Sequence, residues 1–408
     1  MRKIILICLL FLSACASTVQ SHLDTIQNNF SNGDFEITKD KNINDENNLD
    51  LLIDAIALFH KNEFKESDAV FEEFNKRNLK ETSSSISRET AGLLFGAGVN
   101  SYKPYMMDSL FVSYYQIWDL LAMHDWANVR VVINQSYERQ KKMSIEYQDL
   151  IKNNKQKLSE IPSELNNMIN KNQYDWDAFT DIMNPALMYL SGIYFLNDGD
   201  FANAETYLKR ANGMMPNNSF IKSDLEFAQK KQTPQNTTWI FYESGFAPRL
   251  REENSSLFLP MLGLVQFTIS EPYFNSAPQQ PHASQILADV DKMFLTEYNE
   301  YRTNEILRAY ASAVSKSALQ ATMYNSHSDS APLLGILSTI YTISSSNADV
   351  RTWATLPKYI YVQRIDTDKT NLNELNMGGK INSDLNGNNL IYVRMHDKPT
   401  DVKIIKLK

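Results

Sequence analysis

The sequence predicts an α+β fold, in which an all-helical region precedes a smaller mixed region with a mainly antiparallel sheet. Apolar residues recur at intervals of three and four from residue 49 to about residue 231. Alternating and β-branched stretches begin only after Thr233-Pro234. We therefore divide the chain into a leader (1–14), a polar segment (15–48), a helical domain (49–232) and a mixed domain (233–408).

The leader has the composition of an export signal. Met1-Arg2-Lys3 is positively charged, residues 4–12 are apolar without interruption, and small residues precede Cys15. The apolar run is about half of the ~20 residues that a membrane-spanning helix requires. We therefore expect the leader to be cleaved and not to anchor the chain as a helix.

The sequence Leu12-Ser13-Ala14-Cys15 resembles the bacterial lipobox. This resemblance implies that the Cys15 thiol receives lipid, that cleavage precedes Cys15, and that acyl chains hold the protein on a membrane. Ala16 in place of Asp implies the outer membrane, facing the periplasm, in many Gram-negative bacteria. An ordinary signal peptide cleaved after Ala14 or Ala16 is the alternative. Because the other cysteine, Cys8, lies in the leader, we expect no internal disulfide.

The segment from 15 to 48 is rich in Asn, Asp, Ser and Lys and has little periodicity. We expect it to be a polar tether, with at most one local turn or helix near residues 30–37.

The helical region contains three similar helix pairs, around residues 52–74, 114–133 and 187–211. The last pair resembles a tetratricopeptide (TPR) repeat, in which small Gly192 and Ala204 let two antiparallel helices approach while Phe201 and Leu208 fill the space between them. The turn dipeptides stand at 63–64, 125–126 and 200–201 and are therefore 62 and 75 residues apart, not the 34 of a tandem array. The sequence thus predicts a TPR-like region with additional helices between the pairs.

The mixed region is predicted from short β-rich stretches. We expect strands at 238–243, 257–259, 264–269, 359–365, 389–394 and 402–407. Turn material is expected at 244–248 and 251–256, one helix at 283–323, and a buried helix in the apolar run 331–343.

Three stretches of the mixed region resemble an uncharacterised family of bacterial lipoproteins whose N-terminal half is TPR-like. These stretches are residues 239–248, 306–316 and 348–357, and residues 102–139 resemble the family's first helical unit. The resemblance implies a location and a fold but supplies no activity.

Composition and motifs argue against several classes of function. The formal net charge is −8 and no basic stripe is present, so nucleic acid is not an expected partner. No two of the six histidines stand three or four residues apart, so a zinc site is not expected. No Gly-x-Ser-x-Gly motif is present. We expect no metal, no other cofactor and no catalytic set.

One constellation is a candidate interaction surface. Asp349, Arg351 and Trp353 lie within five residues, and Arg and Trp dominate many interaction hot spots. The alternative is structural, with an Asp349 to Arg351 ion pair that braces a loop over a buried Trp353.

These observations favour a non-enzymatic envelope lipoprotein that acts as a protein–protein interaction scaffold or regulator in cell-wall or outer-membrane assembly. Its expected partners are other envelope proteins, such as a peptidoglycan synthase or a lipoprotein regulator of one. The alternative is an envelope enzyme or binding protein that acts on peptidoglycan or another glycan, with Asp349 or Glu243 as a carboxylate in a cleft. A third hypothesis is the transport or assembly of lipid or polysaccharide.

Overall fold

Helices dominate the first half of the chain and strands the second half, which confirms the predicted α+β class. The computed structural model describes residues 14–36, 47–81, 102–159, 161, 163–171, 183–259, 263–274, 277–324, 348–367 and 385–407. Before the first strand the helices are α1 (Ala14–Ser31), α2 (Asn48–His60), α3 (Phe64–Glu81), α4 (Met106–Ala122), α5 (Trp126–Leu158), α6 (Ser163–Lys171), α7 (Pro185–Asn197), α8 (Phe201–Met214) and α9 (Ser219–Gln229).

The strands form a five-stranded sheet and a separate hairpin. They are β1 (Thr237–Ser244), β2 (Arg249–Leu259), β3 (Gly263–Tyr273), β4 (Gln285–Asp289), β5 (Tyr359–Asp366), β6 (Asn389–Met395) and β7 (Pro399–Lys406), with helix α10 (Val290–Tyr324) after β4. The sheet order is β4-β5-β1-β6-β7, and β2 pairs with β3 alone. Only the central β1–β6 pair of the sheet is parallel, so the mainly antiparallel sheet is as predicted.

Three helix pairs, α2–α3, α4–α5 and α7–α8, share one turn conformation. Asn62, His124 and Gly199 all have a positive φ, of 64°, 55° and 76°. In each turn the next residue's N–H donates to a carbonyl five residues earlier, which satisfies the exposed end of the first helix. The similar sequence pattern of the three turns therefore reflects similar backbone geometry.

The α7–α8 pair packs closely at Gly192, as the sequence predicted. A Cβ added to Gly192 would lie 2.7 Å from Cγ and Cδ2 of Leu208. Ala204 and Leu208 are both fully buried. The absence of a side chain at Gly192 is therefore what allows the two helices to approach.

One hydrophobic core extends across the predicted boundary at residue 232. Trp118 of α4 lies edge-on to Phe241 of β1, with ring centroids 5.3 Å apart, and Tyr189 of α7 contacts the same ring at 5.9 Å. The same core cluster contains residues from α2 through β7. The helical region therefore covers one face of the sheet.

The predicted tether over residues 15–48 requires correction, because α1 occupies its first part and packs against the body. Leu23, Ile26 and Phe30 are buried on one side of α1. Asp24 forms an ion pair with Arg249, and Gln27 donates to the carbonyl of Ala354. Polar residues on the exposed side of α1 concealed this apolar face in the sequence.

Several element boundaries also differ from the predictions. The predicted turn at 251–256 is part of β2. The exposed part of that strand carries polar side chains, which resemble turn residues in the sequence. The predicted helix at 283–323 begins at Val290, and its first residues form β4. The apolar run 331–343 lies outside the described residues. None of the helices within the described ranges is long and apolar enough to cross a membrane.

We expect Gly192→Ala to destabilise the protein by about 1–3 kcal/mol, because the added methyl group must displace the buried Leu208 side chain. Urea unfolding measures the change. Gly213→Ala in α8 is the matched control, since nothing lies within 4 Å of its added Cβ. That control should be neutral or stabilising by up to about 1 kcal/mol. Equal effects of the two substitutions would show that close packing at Gly192 is not required.

Candidate functional site

Several of the buried ionisable groups lie where the helices meet the sheet. Glu243 of β1 is fully buried. Its Oε2 atom accepts hydrogen bonds from the hydroxyls of Tyr115 at 2.9 Å and Tyr392 at 2.7 Å, and Arg394 Nη1 lies 3.4 Å away. We call these four residues the seam network.

Sheet register and helix packing explain this arrangement. Glu243 and Arg394 are direct partners in the parallel β1–β6 pair, so their side chains project from the same face of the sheet. Tyr392 stands two residues before Arg394 and shares that face, while Tyr115 approaches from α4. Arg394 also donates to the carbonyls of Gly245 and Thr355, which fixes the loops at the end of the sheet.

The seam network is shielded from solvent, and the second carboxylate oxygen of Glu243, Oε1, has no hydrogen-bond partner among the described residues. Burial raises the pKa of Glu243, while the Arg394 charge and the tyrosine hydroxyls oppose that rise. A side chain without solvent exposure cannot receive a glycan from solvent. The structure therefore places Glu243 away from solvent and does not support an open cleft at this carboxylate.

A second group of polar residues ties α2 to the edge strand β7. His60 Nδ1 lies 2.9 Å from Asp401 Oδ2, and Lys403 lies 2.8 Å from the same oxygen. Lys403 also donates to Asn62 in the α2–α3 turn at 2.7 Å. Burial lowers the pKa of His60 to about 4 despite the opposing effect of Asp401, so the imidazole is neutral at pH 7.

A third buried carboxylate connects two helices with two strands. Asp224 of α9 accepts from Tyr189 of α7 at 2.6 Å, from Trp239 of β1 at 2.7 Å and from Arg364 of β5 at 2.8 Å. Each of the three sites thus binds helix to sheet through one shared carboxylate, which is a structural role.

A different arrangement, which we call the acidic cluster, surrounds the N-terminus of α4 and contains Asp108, Glu297 and Glu305. Glu297 accepts from the backbone N–H groups of Met106 and Met107, and Asp108 accepts from the hydroxyl of Tyr102 at 2.7 Å. Burial raises the pKa of Asp108 to about 7 and that of Glu297 to about 8. These carboxyls can hold protons near neutral pH.

Glu305 is the member of the acidic cluster that could best take part in proton transfer. The residue as a whole is partly exposed, but its carboxyl is turned inward: Oε2 accepts from Ser270, and Oε1 is buried without a hydrogen-bond partner among the described residues. Burial and the nearby charge of Asp349 raise its pKa to about 7. Glu305 can therefore act as a proton donor or acceptor at neutral pH.

The predicted interaction surface requires correction, because Trp353 is buried. That indole is only 2% exposed and packs against Tyr115 and Phe71, with ring centroids 6.0 and 6.3 Å apart. Arg351 donates twice to Asp349, at 2.7 and 2.8 Å, and the pair remains partly exposed. The structural alternative, an ion pair beside a buried Trp353, describes this loop. Asp349 and Arg351 border the acidic cluster.

The remaining predicted site residue, Cys15, lies in the first turn of α1. Within the described ranges no three His, Cys, Asp or Glu side chains are grouped so that they could hold a metal ion. Comparison with known proteins found no matching family model, curated protein or solved structure.

No pattern in the sequence indicates the acidic cluster or the role of Asp224. Their partners lie up to about two hundred residues away along the chain, and isolated acidic residues in helices resemble solvent-exposed ones. Only the predicted strands at 238–243 and 389–394 placed Glu243, Tyr392 and Arg394 in strands.

We expect Arg394→Met to destabilise the protein by about 3–5 kcal/mol, because Glu243 then remains buried without its cation. The double variant Glu243→Gln, Arg394→Met should lose less, since the buried charge is also removed. Urea unfolding measures both variants. Arg130→Met is the control, because its pair with Asp198 and Asp200 is partly exposed and should contribute about 1 kcal/mol or less. A double variant less stable than Arg394→Met would contradict this account of Glu243.

Proposed function

We propose that this protein is an envelope lipoprotein, anchored through Cys15, that serves as a scaffold or regulator for other envelope proteins. The outer membrane facing the periplasm is the proposed location. The observation that carries the proposal is a lipobox-like sequence whose cysteine stands in the first turn of α1, a helix that packs against the body. The resemblance to a family of bacterial lipoproteins favours the same location.

The packing of α1 makes the proposed anchor a firm one. Gln20 donates to the carbonyl of Leu250, and Asp24 pairs with Arg249. Cys15 stands five residues before Gln20, which corresponds to about 7.5 Å along a helix. Lipid on Cys15 would therefore hold the body close to the bilayer surface instead of at the end of a long tether.

The scaffold part of the proposal rests on the helix pairs and on the long helix α5. TPR-like pairs commonly present a surface on which partner proteins dock. On α5, Val131 is 46% exposed and Ile145 is 60% exposed. These residues are 14 positions apart, nearly four helical turns, so they lie on the same side of α5. We assign this side of α5 as the partner-binding surface.

A photoreactive amino acid in place of Ile145 tests the proposal in intact cells. We expect a discrete crosslinked partner and a membrane-bound chain when Cys15 is present. The Cys15→Ser control should leave the membrane fraction and lose the crosslink, because the chain is no longer held beside its partner. Mass spectrometry of the native chain should find diacylglyceryl on Cys15.

The two parts of the proposal fail separately. An unmodified Cys15 would reject the anchor. A lipid-modified Cys15 without any crosslink at Ile145, or at Val131 as the second position, would reject the partner-binding surface.

The raised pKa values in the acidic cluster favour a second candidate function, acid–base catalysis on an envelope glycan. Glu305 would donate the proton, and the second carboxylate would be Asp349, whose charge helps to raise the pKa of Glu305. Purified protein would then release soluble fragments from peptidoglycan, and Glu305→Gln should reduce the rate at least about 100-fold. Glu253→Gln, on the exposed part of β2, is the control. No release by the unaltered protein would reject this function.

A further inference from the structure

The β2–β3 hairpin carries an apolar tip that the core does not use. The two strands pair at eleven positions, from Arg249 opposite Tyr273 to Leu259 opposite Gly263. At about 3.4 Å per residue the paired length is roughly 34 Å. One face of β3, with Val265, Phe267 and Ile269, is buried with residues of α6 and α10.

The opposite face is polar except at the tip. Its cross-strand pairs are Glu252 with Ser270, Asn254 with Thr268, Ser256 with Gln266 and finally Phe258 with Leu264. Phe258 is 66% exposed, the largest value for a bulky hydrophobic side chain in the described residues, and Leu264 is 60% exposed. The alternation along the two strands does not explain why Phe258 and Leu264 are apolar, because the other pairs on the same face are polar.

The sequence around the tip contains no charge. Residues 254–270 lack Asp, Glu, Lys, Arg and His, although charged residues make up 22% of the chain. Charged side chains are costly to remove from water, so their absence from this stretch favours entry into an apolar medium. A protein-binding surface would more often include Arg or a charged rim.

The direction of α1 relates this tip to the proposed lipid anchor. Asp24 contacts Arg249, and Gln20, one helical turn closer to Cys15, contacts Leu250. Moving along α1 toward Cys15 therefore corresponds to moving along β2 from Arg249 toward Phe258. The geometry places the N-terminal end of α1 and the hairpin tip on the same side of the body.

We propose that Phe258 and Leu264 insert into the lipid surface that holds Cys15, so that the hairpin forms a second membrane contact. This inference rests on the proposed lipid anchor. Two apolar side chains bind a bilayer weakly by themselves, but an anchor beside them raises their effective concentration at the membrane. Attachment at two places fixes the orientation of the body, which a single lipid anchor does not.

A fluorophore at the tip tests the proposal directly. The mature chain would contain Cys15 alone, so Phe258→Cys adds the single free thiol of the lipid-modified protein. We would attach an environment-sensitive fluorophore and reconstitute the protein on vesicles of phosphatidylethanolamine and phosphatidylglycerol. We expect a blue shift, a severalfold increase in intensity and quenching by lipids with brominated acyl chains. Ile145→Cys, equally labelled, is the matched control and should remain in water because α5 is not at the tip.

A second measurement does not depend on lipidation. At high lipid concentration the Cys15→Ser chain should still partition weakly onto the same vesicles, far less than the lipidated protein, and Phe258→Ser or Leu264→Ser should each weaken this partitioning by about tenfold. Both residues are exposed, so these variants should fold normally.

Lipidated protein whose fluorophore at position 258 stays in water would overturn the inference while the anchor stands. Shielding of the fluorophore without vesicles, increasing with protein concentration, would assign the tip to self-association and also overturn it. Partitioning of the Cys15→Ser chain with an unmodified native Cys15 would reject the anchor alone.

Discussion

The arrangement of this protein depends on shared carboxylates buried between the helices and the sheet. Glu243, Asp224 and Asp401 each accept hydrogen bonds from residues of different elements, and a nearby arginine or lysine balances each negative charge. A buried carboxylate without partners is costly, so each site strongly disfavours alternative positions of the helices on the sheet. Apolar packing alone, with one continuous core, would tolerate small shifts more readily. The charge pairs therefore supply the specificity of the interface and the aromatic core supplies its burial.

The acidic cluster follows a different electrostatic rule. A cation lies beside Glu243 and beside Asp401. The hydrogen bonds to Asp108, Glu297 and Glu305, in contrast, come mainly from backbone N–H groups and hydroxyls. Burial without a cation favours the protonated form, which explains why their pKa values rise toward neutrality. The seam network thus holds its carboxylate beside a cation, whereas the acidic cluster holds carboxyls that burial shifts toward the protonated form.

Local features of the fold were predictable from the sequence, and long-range ones were not. The three turns and the close contact at Gly192 follow from a few adjacent residues, and the β-branched stretches of β1, β5 and β6 identify buried strands. Helix α1 was missed because its buried residues are diluted by Asn and Ser, and the exposed part of β2 was missed because its polar residues resemble a turn. Trp353 shows the same limit, since its burial depends on Tyr115 and Phe71, which are far away in the chain.

The packing of α1 determines what a lipid at Cys15 could do. A chain attached through a flexible tether can sample many orientations, because each tether residue adds conformational freedom. In this structure Asp24, Gln27 and Phe30 fix the helix to the body, so any force on its first turn is transmitted to the sheet. An anchor at that position would restrict the height of the body above a bilayer, and a second contact at the hairpin tip would restrict its tilt. The exposed side of α5 would then face a limited set of directions, which suits a scaffold whose partners share the same membrane.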